Sequence, residues 1–532
     1  MNETSDAHRS RRTARDAARR GRRTRRVVTA VTGGALLAAA VAVPVAGEAW
    51  PADPVDVGPA AVPVAATTVT QVCQGPPRLA TALAGQDLGY DEFDPAGSGT
   101  RTGLDVVSLA RDGAEPGVLT LHPSLGETAG EELSRTGEAR LGHATMREAV
   151  RLAAEPQDDV VALASGTAVA VTESGDLRGL TATPCLAPAA SAWIVGGSTE
   201  PGHSAQLVLS NAGATPATVT LTGWGSTGPL DLSAAGAVLV PPGEQRVVLL
   251  EALTADPRPV VHLEAGGGEV TAVVQDSRLR GLVPAGTDLL TPSVAPTETV
   301  VMPGVFVGET SGEGPDAPAV RIVNPGEDAV TAQVELLGQD GPVPVPGADA
   351  LVVDPGAVAE ASLAGMPPGA WTAVVRGDGP LTAAAVSTSV GRAADDPQHP
   401  PVERAWAPAT AGLSAGVAAV PAELVSGVSL VVANPADHSV TVEVVPVLAD
   451  GTRGTAVTRT LDAGTSLREQ VRELADQPVA AVEVRAPDGP VHAALALSAA
   501  APDGTLLSVV PVTEDPHSAR AVDVAPALRT LR

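Results

Sequence analysis

Three of the four asparagines in this chain occupy the same local setting: Leu207-Val-Leu-Ser-Asn211-Ala-Gly213, Val320-Arg-Ile-Val-Asn324-Pro-Gly326 and Leu430-Val-Val-Ala-Asn434-Pro-Ala436. Each follows an apolar run and precedes an alternating one (Thr218-Val-Thr-Leu221, Thr331-Ala-Gln-Val334, Thr441-Val-Glu-Val444), the period-two pattern of a half-buried strand. Strand, tight turn, strand therefore recurs. The register persists, because Gly243, Gly356 and Gly464 follow their asparagines by 32, 32 and 30 residues, each in a turn. Gly268-Glu-Val270-Thr-Ala272, Gly379-Pro-Leu381-Thr-Ala383 and Gly489-Pro-Val491-His-Ala493 then introduce a last small-residue strand. Repeats of this kind restrict the chain to a tandem or ring-closed array of like units.

A fourth, worn copy precedes these three. Val106-Val-Ser-Leu-Ala-Arg-Asp112-Gly113 parallels the run ending at Gly213 with an offset of 100, as Val160-Val-Ala-Leu163 parallels Val260-Val-His-Leu263. Leu177-Arg-Gly-Leu180 echoes Leu279-Arg-Gly-Leu282, and Arg111 stands where the other copies carry Asn. The two cysteines, Cys73 and Cys185, bracket this copy. An even pair in an exported chain reads as one disulfide, and the absence of C-x-x-C spacing argues against zinc.

Six or seven short strands in about 105 residues suit a two-sheet sandwich. The expected fold is all-β: four tandem immunoglobulin-like β-sandwich repeats, the first degenerate, after one N-terminal transmembrane helix. The rival is a β-propeller-like closed array with two blades per unit. The expected domains are a cytoplasmic Arg-rich head (1–26), an anchor or signal peptide (27–47), a Pro-rich spacer (48–70), and repeats at 71–185, 186–295, 296–400 and 401–532.

Charge is uneven along the chain. Residues 1–26 hold ten Arg against Glu3, Asp6 and Asp16, and the formal net charge of −27 leaves −34 on the other 506 residues. The head abuts residues 27–46, which carry no charge and as a helix would span about 30 Å, the thickness of a hydrocarbon core. A basic flank on such a segment orients it with the head in the cytoplasm. The expected location is the cell membrane, single-pass with the remainder extracytoplasmic; the alternative is secretion after cleavage near Gly47-Glu48-Ala49. Nucleic acid is not an expected partner, since the Arg cluster is accounted for by the membrane step.

Motifs for chemistry are weak. Gly412-Leu-Ser414-Ala-Gly416 fits the nucleophile-elbow pattern, but prolines at 408 and 421 argue against the strand-turn-helix it requires. Histidines are scattered singly at 8, 122, 143, 203, 262, 399, 438, 492 and 517. Asp87-Leu-Gly-Tyr-Asp91-Glu92-Phe-Asp94 is acidic but lacks EF-hand spacing. Trp193, Trp224, Trp371 and Trp406 are the available sugar platforms, with packing the plainer use. No catalytic, cofactor or metal residue is expected. Asn211, Asn324 and Asn434 read as turn-formers whose side chain bonds the backbone two residues on, a role worth about 0.5–1.5 kcal/mol.

The Arg-rich head, single apolar span, Val72-Cys73-Gln74-Gly75 segment and Asn-Pro-Gly repeats together resemble an uncharacterised actinobacterial family, a domain of unknown function. The repeats are also similar to bacterial immunoglobulin-like surface modules. That resemblance implies no functional residues. The expected function is a non-catalytic envelope protein with a structural or partner-binding role. Its partners would be the membrane, through the N-terminal helix, and an unknown envelope protein or glycan. A glycan-binding or glycan-assembly accessory is the alternative, and a hydrolase or transferase the second alternative.

Overall fold

The computed structural model describes residues 60–63, 66–79, 99–111, 115–157, 160–309, 314–392, 400–515 and 521–524. The expected span 27–46 and the acidic segment 87–94 lie outside the described residues, within which no helix is long and apolar enough to cross a membrane. The chain is all-β, and its helical segments among the described residues are four 3-10 turns. Ala60–Pro63 pairs antiparallel with Ala521–Val524 in a small unit of its own, and residues Ala65–Arg520 form the other compact unit.

Among the described residues that larger unit contains seven antiparallel sheets, which make four pairs of ladders because the eight-stranded one holds two, and none closes on itself into a barrel. In each pair one ladder ends on the last strand of the segment. These last strands are Gly179–Pro184, Val283–Leu290, Val402–Pro408 and Gly504–Pro511. Each pairs with the strand before it: Leu163–Thr172, Thr271–Arg280, Gly369–Val390 and His492–Ala501. Gly369–Val390 is long enough to serve both ladders of the third pair, its first half pairing with Thr297–Val307 and its second with Ala319–Val323. Val402–Pro408, which falls at the head of the fourth repeat in the sequence division, thus belongs by pairing to the third.

The four last strands contact one another in cyclic order, Gly504–Pro511 returning to Gly179–Pro184. The partner ladder of each pair packs on the next pair's ladder. Trp224 and Val260 share a core with Ala384 and Val386, Met302 and Val305 with Ala494 and Val509, and Val417 and Ala481 with Val107 and Leu163. The last contact joins the fourth pair to the first, so the stack closes into a ring. Closure is also polar: Arg111 is ion-paired with Asp515, Thr167 donates to the Ala419 carbonyl at 2.8 Å, and Arg178 holds Asp503.

Ring stacking explains the composition. A strand covered on both faces needs apolar or small residues throughout, and Leu163–Thr172 (Leu-Ala-Ser-Gly-Thr-Ala-Val-Ala-Val-Thr) is buried at every position. Strands with one free face instead alternate, as Ala217–Gly225 and Val330–Gly338 do at their starts.

Cys73 and Cys185 are disulfide-bonded and buried, tying the end of Val69–Cys73 to the residue after Gly179–Pro184. Gly166 lies against this bond, where a Cβ would stand 2.4 Å from the Cys185 sulfur.

Each repeated asparagine is fully buried. The Oδ1 atoms of Asn211, Asn324 and Asn434 accept from the backbone N–H two residues on, at 2.9, 3.0 and 3.1 Å. Their Nδ2 groups donate to the carbonyl four residues on, of Thr215, Asp328 and His438. They also donate to a carbonyl of the strand leading into the glycine turn, of Val240, Val353 and Leu461. The glycines of those turns, Gly243, Gly356 and Gly464, have φ of 71°, 65° and 66°, a region that penalises any Cβ. One amide thereby pins two turns together, which explains the constant spacing between Asn and Gly.

Substituting Asn324 by Ala should therefore cost about 2–4 kcal/mol, more than a local turn bond, because several buried backbone groups lose partners at about 1–3 kcal/mol each. Asn324→Asp retains Oδ1 and loses the donors, so it should also destabilise in a denaturant titration; full tolerance of Asp would reduce the residue to a turn-former. Replacing both cysteines by serine should cost about 2–5 kcal/mol in the same assay.

Candidate functional site

A cavity of about 640 Å³ opens between the second and third ladder pairs, inside the same compact unit. Its walls carry five arginines, supplied by three strands and a loop. Thr271–Arg280 contributes Arg278 and Arg280, two residues apart and hence on one face. Ala319–Val323 contributes Arg321, Val402–Pro408 contributes Arg404 beside Trp406, and the segment after the turn Leu250–Ala252 contributes Arg258.

Three of these arginines are held by structural partners. Arg321 is buried, grips Glu360 through two nitrogens at 2.9 and 2.8 Å, donates to the Gly197 carbonyl at 2.6 Å, and lies 5.0 Å over the Trp406 ring. Burial lowers its pKa and the Glu360 charge offsets this. Asp316 bridges the other two, accepting from Arg280 at 2.8 Å and Arg404 at 2.6 Å. Arg404 also donates to the Ala285 carbonyl at 3.0 Å, and burial brings its pKa down to about 10, which leaves it charged at neutral pH. That approach requires Gly286: its φ is 105°, and a Cβ would sit 2.9 Å from the Arg404 backbone nitrogen.

Arg278 and Arg258 differ. Arg278 is 8% exposed, yet its one hydrogen-bonding partner among the described residues is Asp276, reached through Nε at 3.2 Å. Its two terminal nitrogens have none. Arg258 has a buried Nε without a partner, and its guanidinium forms no hydrogen bond or ion pair among the described residues. On the same wall His203 shares a hydrogen bond of 2.6 Å with Ser198, and burial, reinforced by the Arg278 charge, lowers its pKa to about 4. It is therefore a neutral ring. Glu200 is exposed at the cavity lining.

Beneath the cavity lies a buried acidic pair. Asp276 accepts from the Trp406 indole at 3.2 Å, and Asp288 accepts from the Trp406 and Leu289 backbone N–H groups at 2.7 and 2.8 Å. Burial pushes Asp288 up to about 8, and the Asp276 charge adds to the shift. Glu403, in contact with Arg178 at 3.4 Å, is likewise raised to about 8 by burial, against the pull of that arginine.

The residues singled out by sequence lie elsewhere. Cys73, Cys185 and the three asparagines are structural and outside the cavity lining. Ser414 is exposed and is followed by the strand Ala415–Ala419, not by a helix. His492, the histidine nearest that loop, bonds Thr410 at 3.1 Å. Trp193 stacks on both Trp224 and His262, at 4.9 and 4.3 Å. No group of three metal-binding side chains occurs among the described residues. The cavity arginines were missed, although a signal existed: Arg321 interrupts the apolar run Val320-Arg-Ile-Val, three residues before its Asn, where the neighbouring copies carry Val208 and Val431.

The buried acids give the fold a pH dependence. Asp288 and Glu403 have folded pKa values near 8, above the ordinary carboxylate values of 3.8 and 4.5 that apply when unfolded. These two groups keep extra protons in the folded state up to about 8, while His203 and His492, lowered to about 4 by burial, offset them below about 6.5, so stability falls as pH rises from about 6.5 to 8. The melting temperature should drop from pH 6.5 to pH 8.5, and Asp288→Asn combined with Glu403→Gln should flatten that fall; an unchanged slope would remove these groups as its source.

The model of a family of unknown function, DUF5719, matches residues 140–472, a stretch that contains all three asparagine motifs, Arg321 and the rest of the cavity wall. No curated protein and no solved structure matches the chain. Since the match covers more than half of the sequence, the chain belongs to the DUF5719 family.

Proposed function

We propose that this protein is a non-catalytic binding protein of the cell envelope, with residues 1–26 in the cytoplasm, residues 27–46 spanning the membrane and the ring of ladders outside. In this reading the four ladder pairs are immunoglobulin-like repeats that have become one body by sharing cores. The observation that carries the binding role is the arginine-lined cavity. Glu360 and Asp316 are tied to arginines and His203 is neutral, so its ionisable groups are suited to fixed-charge recognition and poorly placed to exchange protons with a substrate.

A glycan-binding role is the second reading, favoured by the half-buried Trp193 and His262 rings with Ser191 bonded to His262 at 2.8 Å. Aromatic faces beside hydroxyls suit sugar rings.

Protease treatment of intact protoplasts should digest most of the chain, and protection of that bulk would overturn the orientation. Affinity capture with the full-length chain should enrich a defined envelope protein. Reproducible enrichment of polysaccharide alone would instead establish the glycan reading.

A further inference from the structure

We infer that the cavity between the second and third ladder pairs is a binding site for a hydroxylated anion, a sugar bearing a phosphate or a carboxylate group. The inference deepens the binding reading and rests on it. Its starting point is the unequal use of guanidinium groups. An arginine that serves only the fold spends its donors on protein acceptors, as Arg321 does on Glu360 and backbone carbonyls. Arg278 is more than nine-tenths buried and spends only Nε, on Asp276. Its two terminal nitrogens line the cavity with no protein acceptor. The end-on fork they form matches two oxygens of one phosphate or carboxylate.

Arg258 supplies the second charge. It lines the same cavity, is half-buried, and has a buried Nε with no partner. Two cations without full protein partners, in a chain whose formal net charge is −27, mark a local reversal of sign. Low-dielectric walls strengthen their field on an entering anion.

The remaining wall argues for hydroxyls on the same ligand. Ser198, Glu200 and His203 line the cavity, with the Ser198 hydroxyl bonded to His203 Nδ1, so that Nε2 of the neutral ring remains available as a hydrogen-bonding atom. Glu200 adds an acceptor that would repel a second anionic group but accepts from an alcohol. A cavity of about 640 Å³ falls within the usual range for small-ligand sites and admits one or two sugar rings.

The test is calorimetric titration of the full-length chain with inorganic phosphate, glucose 6-phosphate and glucuronate, with glucose as the uncharged control. Saturable binding of an anionic sugar, weakened by salt and absent for glucose, is expected. Preference for glucose 6-phosphate would identify a phosphate ligand, and preference for glucuronate a carboxylate one. Arg258→Gln should weaken binding about ten- to a hundredfold with an unchanged melting temperature, because its guanidinium holds nothing in the fold. Arg278→Gln should do the same, and should it fail to fold, Arg258→Gln alone decides. Absence of saturable anion binding, or undiminished binding by Arg258→Gln, would overturn the inference. Capture of an envelope protein by the Arg258→Gln chain would still leave the broader binding role intact.

Discussion

Two-sided burial of the ladders that carry the four last strands is the constraint on which the rest of the structure depends. Each such ladder is covered by its own partner on one face and by the preceding pair on the other, so cores within the pairs are continued by cores shared between neighbouring pairs. Val169, Val171, Leu180 and Ala182 of the first pair lie in one cluster with Leu430, Val482 and Leu495 of the fourth. Apolar burial contributes roughly 25 cal/mol per Å² removed from water, and here much of that area is buried between pairs as well as within them. A ring with this property stabilises as a unit: opening one junction exposes faces that the neighbouring pairs were built to cover.

The same constraint decides which side chains the interior tolerates. After Leu163 and Leu381, residues 164–172 and 382–390 are written in Ala, Ser, Thr, Val and Gly, because closely stacked strands leave little space for rings. Polar groups in this interior are tied across chain segments at several points, while the hydroxyls of Thr181, Thr183 and Thr287 are buried with no partner among the described residues. The three asparagines each satisfy carbonyls from two chain segments, Thr372 meets Ser466 at 2.8 Å across the junction of the third and fourth pairs, and Glu403 receives the Leu180 backbone N–H at 2.9 Å across the ring. Buried hydrogen bonds of this sort specify how neighbours dock, since an apolar surface alone would accept several registers.

Junctions are also where the ring differs from one pair to the next. At the first junction the Arg78 carbonyl accepts from Gln206 at 3.1 Å and from Gln275 at 2.8 Å, so the chain itself occupies the groove. At the third junction the corresponding space is a smaller cavity of about 280 Å³, where the exposed Arg468 donates from Nε to Ser429 at 3.0 Å. The second junction is left open and lined with guanidinium groups. Arginines are thus gathered at one of several comparable junctions.

The sequence by itself determined the local features, because their causes are local. Alternation in Thr331-Ala-Gln-Val334 marks a strand with one solvated face, a left-handed turn demands glycine at Gly356, and Asn324 closes the turn two residues ahead of it. Recurrence of these signals exposed the repeat, and two cysteines allowed one bridge. What the tertiary structure alone decided was everything set by residues far apart in the chain. The second role of Asn324, donation to Val353, depends on a segment 29 residues away. Ring closure depends on Val417 meeting Leu163, and the cavity on Arg278, Arg321 and Arg404 arriving from three strands. Period and turn chemistry report which face of a strand is buried; they carry no record of what covers it, so the site made between two pairs was not legible until the pairs were docked.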